Sequence, residues 1–250
     1  MIALITGASS GIGRDMAIYL DKLGYKLILT ARNKKNLDEL NSKLNNKADI
    51  YALDLSKEGA ALELYNHCKD KNIDILINNA GFGLFGEFHK IPINDEIELL
   101  NLNIISLHLL TKYFLADFKQ KDKGYILNVA SSAGFLPGPL MASYYASKSY
   151  VVSISVAIYE ELRRSKSNVH ISVLCPGPVA TNFNNVAGVK FSFKPISSEY
   201  VAKYSIDRML KNKLIIVPGF KMKCSIIFSK FAPYTTKANF VYSIQNKKIK

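Results

Sequence analysis

Short apolar runs alternate along this chain with longer stretches in which apolar residues return every three or four positions. The runs Ile2–Thr6, Lys26–Thr30, Asp49–Leu53, Ile73–Ile77, Gly124–Val129, Val169–Cys175 and Leu214–Val217 are rich in Ile, Val and Leu at both alternating positions. Apolar residues on both faces of a strand mean burial on both faces, the condition of a parallel sheet covered by helices. The stretches Ile12–Leu23, Lys35–Leu44, Lys57–Lys69, Asp95–Lys119, Ala142–Arg164 and Ser198–Leu210 carry the helical period. Strand–helix–strand order repeated in this way predicts the α/β class: a doubly wound, seven-stranded parallel sheet with helices on both faces. No Pro- or Gly/Ser-rich linker, low-complexity run or internal repeat divides the sequence, so one domain over residues 1–250 is expected.

Composition changes this picture mainly through charge. The 250 residues are 48% hydrophobic and 11% aromatic, globular values, and carry a formal net charge of +13. The excess is local. Residues 1–189 hold 20 basic and 18 acidic side chains, whereas residues 190–250 hold 13 and 2. From Arg208 to Lys250 there are ten basic residues and no acid. Met1 leads straight into the first apolar run without a basic leader, and no window reaches the roughly 18 uninterrupted apolar residues of a membrane span. Three widely spaced cysteines, Cys68, Cys175 and Cys224, suit a reducing compartment, and no CxxC or Cys/His cluster points to a metal. A cytoplasmic protein without a metal site is expected. Nucleic acid is an unlikely partner, because arginine is scarce and no recognition motif is present.

Ligands of a doubly wound sheet bind beyond the carboxyl ends of the strands. The unusual residues of this chain fall in those loops. The first reads Thr6-Gly7-Ala8-Ser9-Ser10-Gly11-Ile12-Gly13 and opens a helix. Gly7 can make the tight turn, Gly11 can let backbone approach a pyrophosphate and Gly13 can permit close helix–strand packing, with the helix N-terminus facing the anion. Strand 2 ends in Thr30-Ala31-Arg32-Asn33, with no acid to receive an adenosine ribose 2′-hydroxyl. Arg32, helped by Ser10, can instead clasp a 2′-phosphate, which favours NADP(H) over NAD(H). Asp54, followed by Leu55, can bond an adenine amino group or cap the next helix. The segment Asn78-Asn79-Ala80-Gly81 after strand 4 suits backbone passing close to a cofactor, and Asn78 can equally brace neighbouring loops.

Strand 5 ends in Asn128-Val129-Ala130-Ser131-Ser132, and Tyr144 and Lys148 follow one helical turn apart, hence on one face. A phenol near pKa 10 is a poor base at neutral pH, but a neighbouring ammonium favours its phenolate. Ser131 can hold a carbonyl oxygen, and Asn103, on the long fourth helix, can position a water in a proton relay. Spacing leaves Ser132 open beside Ser131. Tyr145, next to Tyr144, has Ser149 at the fourth position beyond it, which cannot lower a pKa by charge.

The combination of Thr6–Gly13, Asn78–Gly81, Asn103, Ser131/Tyr144/Lys148 and Pro176-Gly177-Pro178-Val179-Ala180-Thr181 resembles the short-chain dehydrogenase/reductase family over roughly Met1–Leu210. The resemblance implies a Rossmann-like fold, an NAD(P) cofactor and interconversion of a carbonyl and an alcohol. It implies that Ser131 orients the carbonyl, Tyr144 transfers the proton, Lys148 also binds the nicotinamide ribose and Asn103 completes a tetrad. It selects Ser131 over Ser132. It also places the loop from Pro176 and Gly177 to Thr181 beside the nicotinamide, with Val179 and Thr181 near its carboxamide, and suggests a homo-oligomer built through the two long helices.

Two segments lie beyond these motifs. Residues 182–194 contain Phe183, Phe191 and Phe193 and resemble the family's substrate lid; the aromatics fit either an apolar or acyl-bearing substrate or ordinary core anchors. Phe220–Phe231 reads as a basic amphipathic helix, with Phe220, Cys224, Ile227, Phe228 and Phe231 spaced by threes and fours among Lys221, Lys223 and Lys230. It fits packing on the body or another subunit, a peripheral position on an anionic membrane, or contact with an acidic partner.

Overall fold

The computed structural model describes residues 1–181 and 195–246. Its main sheet contains β1 (Ile2–Thr6), β2 (Lys26–Ala31), β3 (Asp49–Ala52), β4 (Ile75–Asn78), β5 (Gly124–Val129), β6 (Val169–Leu174) and β9 (Ile215–Ile216). They lie in the order β3-β2-β1-β4-β5-β6-β9, every pair parallel. The order reverses between β1 and β4, which opens the crevice at their carboxyl ends.

The two-faced strands explain the layering. In β1, Ala3 and Ile5 point to one face and Leu4 to the other, and all three are fully buried. The Ala3/Ile5 side packs on α1 (Gly11–Lys22), α2 (Lys34–Ser42) and α7 (Ser198–Met209) through Met16, Leu20, Leu37, Ile206 and Met209. The Leu4 side packs on α3 (Ala60–Cys68), α5 (Leu107–Gln120) and the end of α6 (Ala142–Arg164) through Leu64, Leu110, Phe114, Phe118 and Leu162. Two large cores on opposite sides of one sheet make the three-layered Rossmann-like architecture.

Four expectations need correction. The helix expected over Asp95–Lys119 begins as α4 (Ile93–Leu100), passes through a π-helical segment at Asn101–Ser106 and continues as α5. A π segment widens the turn locally, and such bulges favour functional positions; here it contains Asn103. The helix expected from Lys57 starts only at Ala60, because Gly59 at φ +79° precedes it. A small parallel pair, β7 (Val179–Ala180) with β8 (Ile196–Ser197), was too short to leave a periodic signal. Finally, the basic helix is α8 (Phe220–Ser229), and a further helix, α9 (Tyr234–Asn246), follows Pro233.

The continuous helical run Ile93–Gln120 is long and apolar enough, by length and composition, to cross a membrane. In this fold part of its apolarity serves the core: Leu99, Leu102, Leu107, Leu110, Phe114 and Phe118 are buried, whereas Ile93, Ile97, Leu100 and Ile105 are exposed. Phe118 lies flat on Gly124, where a Cβ would stand 2.4 Å from its ring.

Candidate active site

The floor of the crevice is assembled by short polar side chains that tie β1 to β4. Thr6 Oγ1 accepts the N–H groups of Asn79 (2.9 Å) and Ala80 (3.0 Å) and donates to the carbonyl of Ile77 (3.3 Å). Asn79 Nδ2 donates to the carbonyls of Thr6 (3.0 Å) and Gly7 (3.1 Å). Gly7 and Gly11 have φ of +64° and +54°, which disfavour side chains. Gly13 sits behind the loop; a Cβ there would stand 2.4 Å from Asn79 Nδ2 and 2.6 Å from the Gly7 carbonyl. Ser10 caps α1 by position without a side-chain capping bond. The N–H groups of the helix's first turn therefore lack both an intrahelical acceptor and a side-chain cap, an arrangement that suits an anion.

Above this floor lies a cleft of ≈ 390 Å³. Gly7, Ser9, Ser10, Gly11 and Ile12 line it from the first loop, Arg32 from the end of β2, and Asp54 and Leu55 from beyond β3. Asn79, Ala80 and Gly81 continue the wall, and Pro176, Gly177, Val179 and Thr181 close it from beyond β6. Ser131, Tyr144 and Lys148 stand together at its inner end. Two wall residues lie outside every motif picked out in the sequence, Phe82 and Leu102, and Val129 and Ala130 line the wall beside Ser131 without having been assigned a role. They are apolar neighbours of motif residues and carry no chemical signal of their own. The aromatics Phe183, Phe191 and Phe193 lie outside the described residues.

The crevice fits a dinucleotide on its own geometry. Backbone lines its narrowest points: a Cβ on Gly11 would meet Thr181 Cγ2 at 3.1 Å, and one on Gly81 would meet Asn103 Oδ1 at 2.8 Å and Lys148 Nζ at 3.3 Å. Arg32 Nη1 pairs with Glu98 Oε1 of α4 at 2.9 Å, with both side chains partly exposed. Glu98 went unremarked in the sequence because no spacing rule links α4 to the end of β2. Asp54 Oδ1 accepts from Ser56 N–H (3.0 Å) and Oγ–H (2.8 Å), so it organises the turn before α3 rather than capping the helix. Asn78 donates to Thr111 Oγ1 (3.0 Å) and Asn128 Oδ1 (2.9 Å), the bracing role.

At the inner end the members of both pairs differ in their surroundings. Tyr144 is hydrogen-bonded to the Ser131 side chain, whereas the Ser132 N–H is held by the Pro176 carbonyl at 2.8 Å and Ser132 is off the wall. Tyr145 accepts a bond from Gln245 Nε2 of α9 at 2.9 Å, and its ring covers Gly138. Lys148 Nζ donates to the Val129 carbonyl at 3.0 Å and lies 5.8 Å from the centre of the Tyr144 ring. Burial dominates the electrostatics. It pushes the Tyr144 hydroxyl up to about 12, against the opposing pull of its bond to Ser131, and brings the Lys148 ammonium down to about 8. The expected depression of Tyr144 by Lys148 is therefore not the leading effect in the protein alone; desolvation of a fully enclosed phenol outweighs it.

Asn103 is fully buried behind the wall. Its Oδ1 accepts from Phe82 N–H (3.1 Å), and its Nδ2 donates to the Phe82 carbonyl (2.9 Å) and Ser147 Oγ (3.1 Å). Both donor hydrogens are engaged, so this amide clamps the loop after β4 to α6.

A model of the short chain dehydrogenase family matches residues 1–189. The human very-long-chain 3-oxoacyl-CoA reductase is 32% identical over 192 residues, 74% of this chain and 61% of that protein; the match thus spans about three fifths of the relative. A short-chain dehydrogenase from Sphingobium yanoikuyae, solved in complex with NADPH, is 27% identical with a TM-score of 0.82, covering 92% of each chain. A relative from Burkholderia phymatum, solved with NAD, shares the fold at a TM-score of 0.82 and 24% identity, covering 90% of this chain and 91% of its own. With the sheet order, the glycine loop and the Ser131–Tyr144–Lys148 cluster joined by a family match over residues 1–189, the chain belongs to the short-chain dehydrogenase/reductase family.

Proposed function

We propose that the protein is an NADP(H)-dependent oxidoreductase that interconverts a carbonyl and an alcohol, with Tyr144 as the general acid/base. The observation that carries this reading is the enclosed cluster of Ser131, Tyr144 and Lys148 at the inner end of a backbone-lined dinucleotide crevice. The cofactor, when bound, supplies or accepts the hydride. Ser131 Oγ–H holds the carbonyl oxygen and brings it to the Tyr144 hydroxyl, which donates the proton during reduction. Lys148 bonds the nicotinamide ribose and places a positive charge near Tyr144. Asn103 keeps the Phe82 loop and α6 in register and so positions Lys148.

Arg32 supports the choice of NADP(H), since its guanidinium ends on the crevice wall and no carboxylate terminates β2. Glu98 competes for the same guanidinium. Arg32→Ala should weaken NADPH by about tenfold while leaving NADH nearly unchanged, the loss of one charge-assisted bond. Glu98→Gln should do the reverse and tighten NADPH by roughly threefold, because an exposed ion pair is worth little but must be given up. Fluorescence titration of both nucleotides measures each change; equal effects on NADPH and NADH would count against Arg32 as the discriminator.

An acyl-bearing or bulky apolar carbonyl fits best. Tyr144 is packed among Leu99, Ala133 and Met141, with Phe82, Leu84 and Phe85 around them, and the human relative is named for a 3-oxoacyl-CoA substrate. A panel of 3-oxoacyl thioesters and apolar ketones with NADPH tests the class. The direction of pH dependence follows from Tyr144. With its hydroxyl pushed up to about 12, the proton donor is present throughout the neutral range, so reduction should vary little between about pH 6 and about pH 7 and fall towards about pH 8 as Lys148, brought down to about 8, loses its charge. Alcohol oxidation needs the phenolate and should rise across the same range. Initial rates in both directions decide this; oxidation that falls with pH would contradict it.

A further inference from the structure

The C-terminal helices carry a surface that the reaction does not explain. At 3.6 residues per turn, Phe220, Cys224 and Ile227 fall within an arc of about 60° on α8, with Phe228 about 40° beyond it and Phe231 in the turn that follows the helix. The side chains that face the body are the others: Ile226 is buried, and Met222 packs against Gly177, where a Cβ would stand 2.4 Å from its methyl carbon. The amphipathic stripe read from the sequence is therefore turned outward. Phe220 is 80% exposed, Phe228 73% and Phe231 83%. Tyr234 and Phe240 on α9 extend the same exposed aromatic character.

The lysines complete the pattern. Lys223 and Lys230 flank the stripe on one side and Lys221 on the other, and Lys237 stands 4.7 Å above the Tyr234 ring. No acidic residue occurs anywhere after Asp207. A second copy of this chain is a poor occupant for such a face, because a two-fold contact would set two acid-free basic surfaces against each other. Apolar aromatics that project between lysines match the boundary of an anionic bilayer, where rings enter the acyl region and ammonium groups meet the headgroups.

We infer that α8 and α9 form an interfacial platform that docks the protein on anionic lipid membranes. The platform touches the surroundings of the cleft at two points. Met222 touches Gly177 on the cleft wall, and Gln245 bonds Tyr145 beside Tyr144. Docking there would set the Gly177 side of the cleft close to the lipid surface, the source from which a strongly apolar carbonyl substrate is most available. That last step rests on the proposed activity; the docking itself does not.

The test uses the full chain and phosphatidylcholine vesicles with and without phosphatidylserine. Co-sedimentation is expected only with phosphatidylserine present, and it should be released by high salt. The triple variant Phe220→Ser/Phe228→Ser/Phe231→Ser should partition on the order of a hundredfold more weakly. The quadruple variant Lys221→Gln/Lys223→Gln/Lys230→Gln/Lys237→Gln should lose a similar factor. All seven positions lie outside the cleft wall, so melting temperature and NADPH affinity should stay at wild-type values, which separates loss of docking from loss of folding or of the active site. No binding of the wild-type chain to phosphatidylserine vesicles overturns the inference and leaves an acidic protein as the partner. Binding that survives the Phe variant overturns it as well. Wild-type oligomers that dissociate in the Phe variant, without vesicle binding, would assign the face to subunit contact instead.

Discussion

Replacing Tyr144 by Phe is expected to lower kcat for carbonyl reduction by about a thousandfold while NADPH still binds with near wild-type affinity. The change removes one oxygen. The ring keeps its place against Leu99, Met141 and Ala133, so the pocket's shape is preserved. What disappears is the proton donor and the bond to Ser131. Among the described residues no neighbour substitutes: Tyr145 is bonded to Gln245, and Lys148 donates to the Val129 carbonyl. The loss should therefore appear in kcat rather than in cofactor affinity. Single-turnover rates with saturating NADPH, alongside a binding titration, separate the two. A fall in both together would mean that Tyr144 supports the crevice rather than the chemistry.

Gly13→Ala is the second large effect, and it works through packing. The added methyl would lie 2.4 Å from Asn79 Nδ2 and 2.6 Å from the Gly7 carbonyl, far inside contact distance. Asn79 cannot simply swing aside, since its amide holds the carbonyls of Thr6 and Gly7 and its own N–H is held by Thr6 Oγ1. Either α1 moves away from the loop or the tie between β1 and β4 breaks. Overpacking of this kind costs about 1–3 kcal/mol, a fall in melting temperature of roughly 2–10 °C for a chain of this size. NADPH affinity should drop on the order of a hundredfold, because the loop proposed to receive the pyrophosphate is the part displaced. Calorimetry with and without NADPH reads both effects. Normal nucleotide stabilisation in the variant would show that the loop tolerates a side chain.

The residues differ in how openly the sequence displayed them. β1 was legible because Ala3, Leu4 and Ile5 are all apolar, and only burial on both faces makes sense of that. Tyr144 and Lys148 were legible because the helical period puts them on one face. Asn103 was picked out, but its surroundings were not. The π segment that carries it and the three bonds that engage its amide depend on contacts with Phe82 and Ser147, 21 and 44 residues away. Glu98 escaped for the same reason, as its partner Arg32 is 66 residues distant. The electrostatics of Tyr144 were legible only in part, because a neighbouring charge can be read from spacing, whereas desolvation depends on everything that encloses the ring. The outward turn of the α8 stripe was equally hidden. Periodicity reveals that a face is apolar; it does not reveal that Met222 and Ile226 on another face make the contact with the body.

The most direct test of the central claim is isotope transfer. NADPH deuterated at the transferring face of C4 is incubated with the full-length protein and the 3-oxoacyl or apolar ketone panel, and products are read by mass spectrometry. The account expects an alcohol that carries the deuterium on its carbinol carbon, and none from Tyr144→Phe. Tight NADPH binding without deuterated alcohol from any member of the panel would contradict it and mark the protein as a nucleotide-binding member of its family that does not perform the reaction.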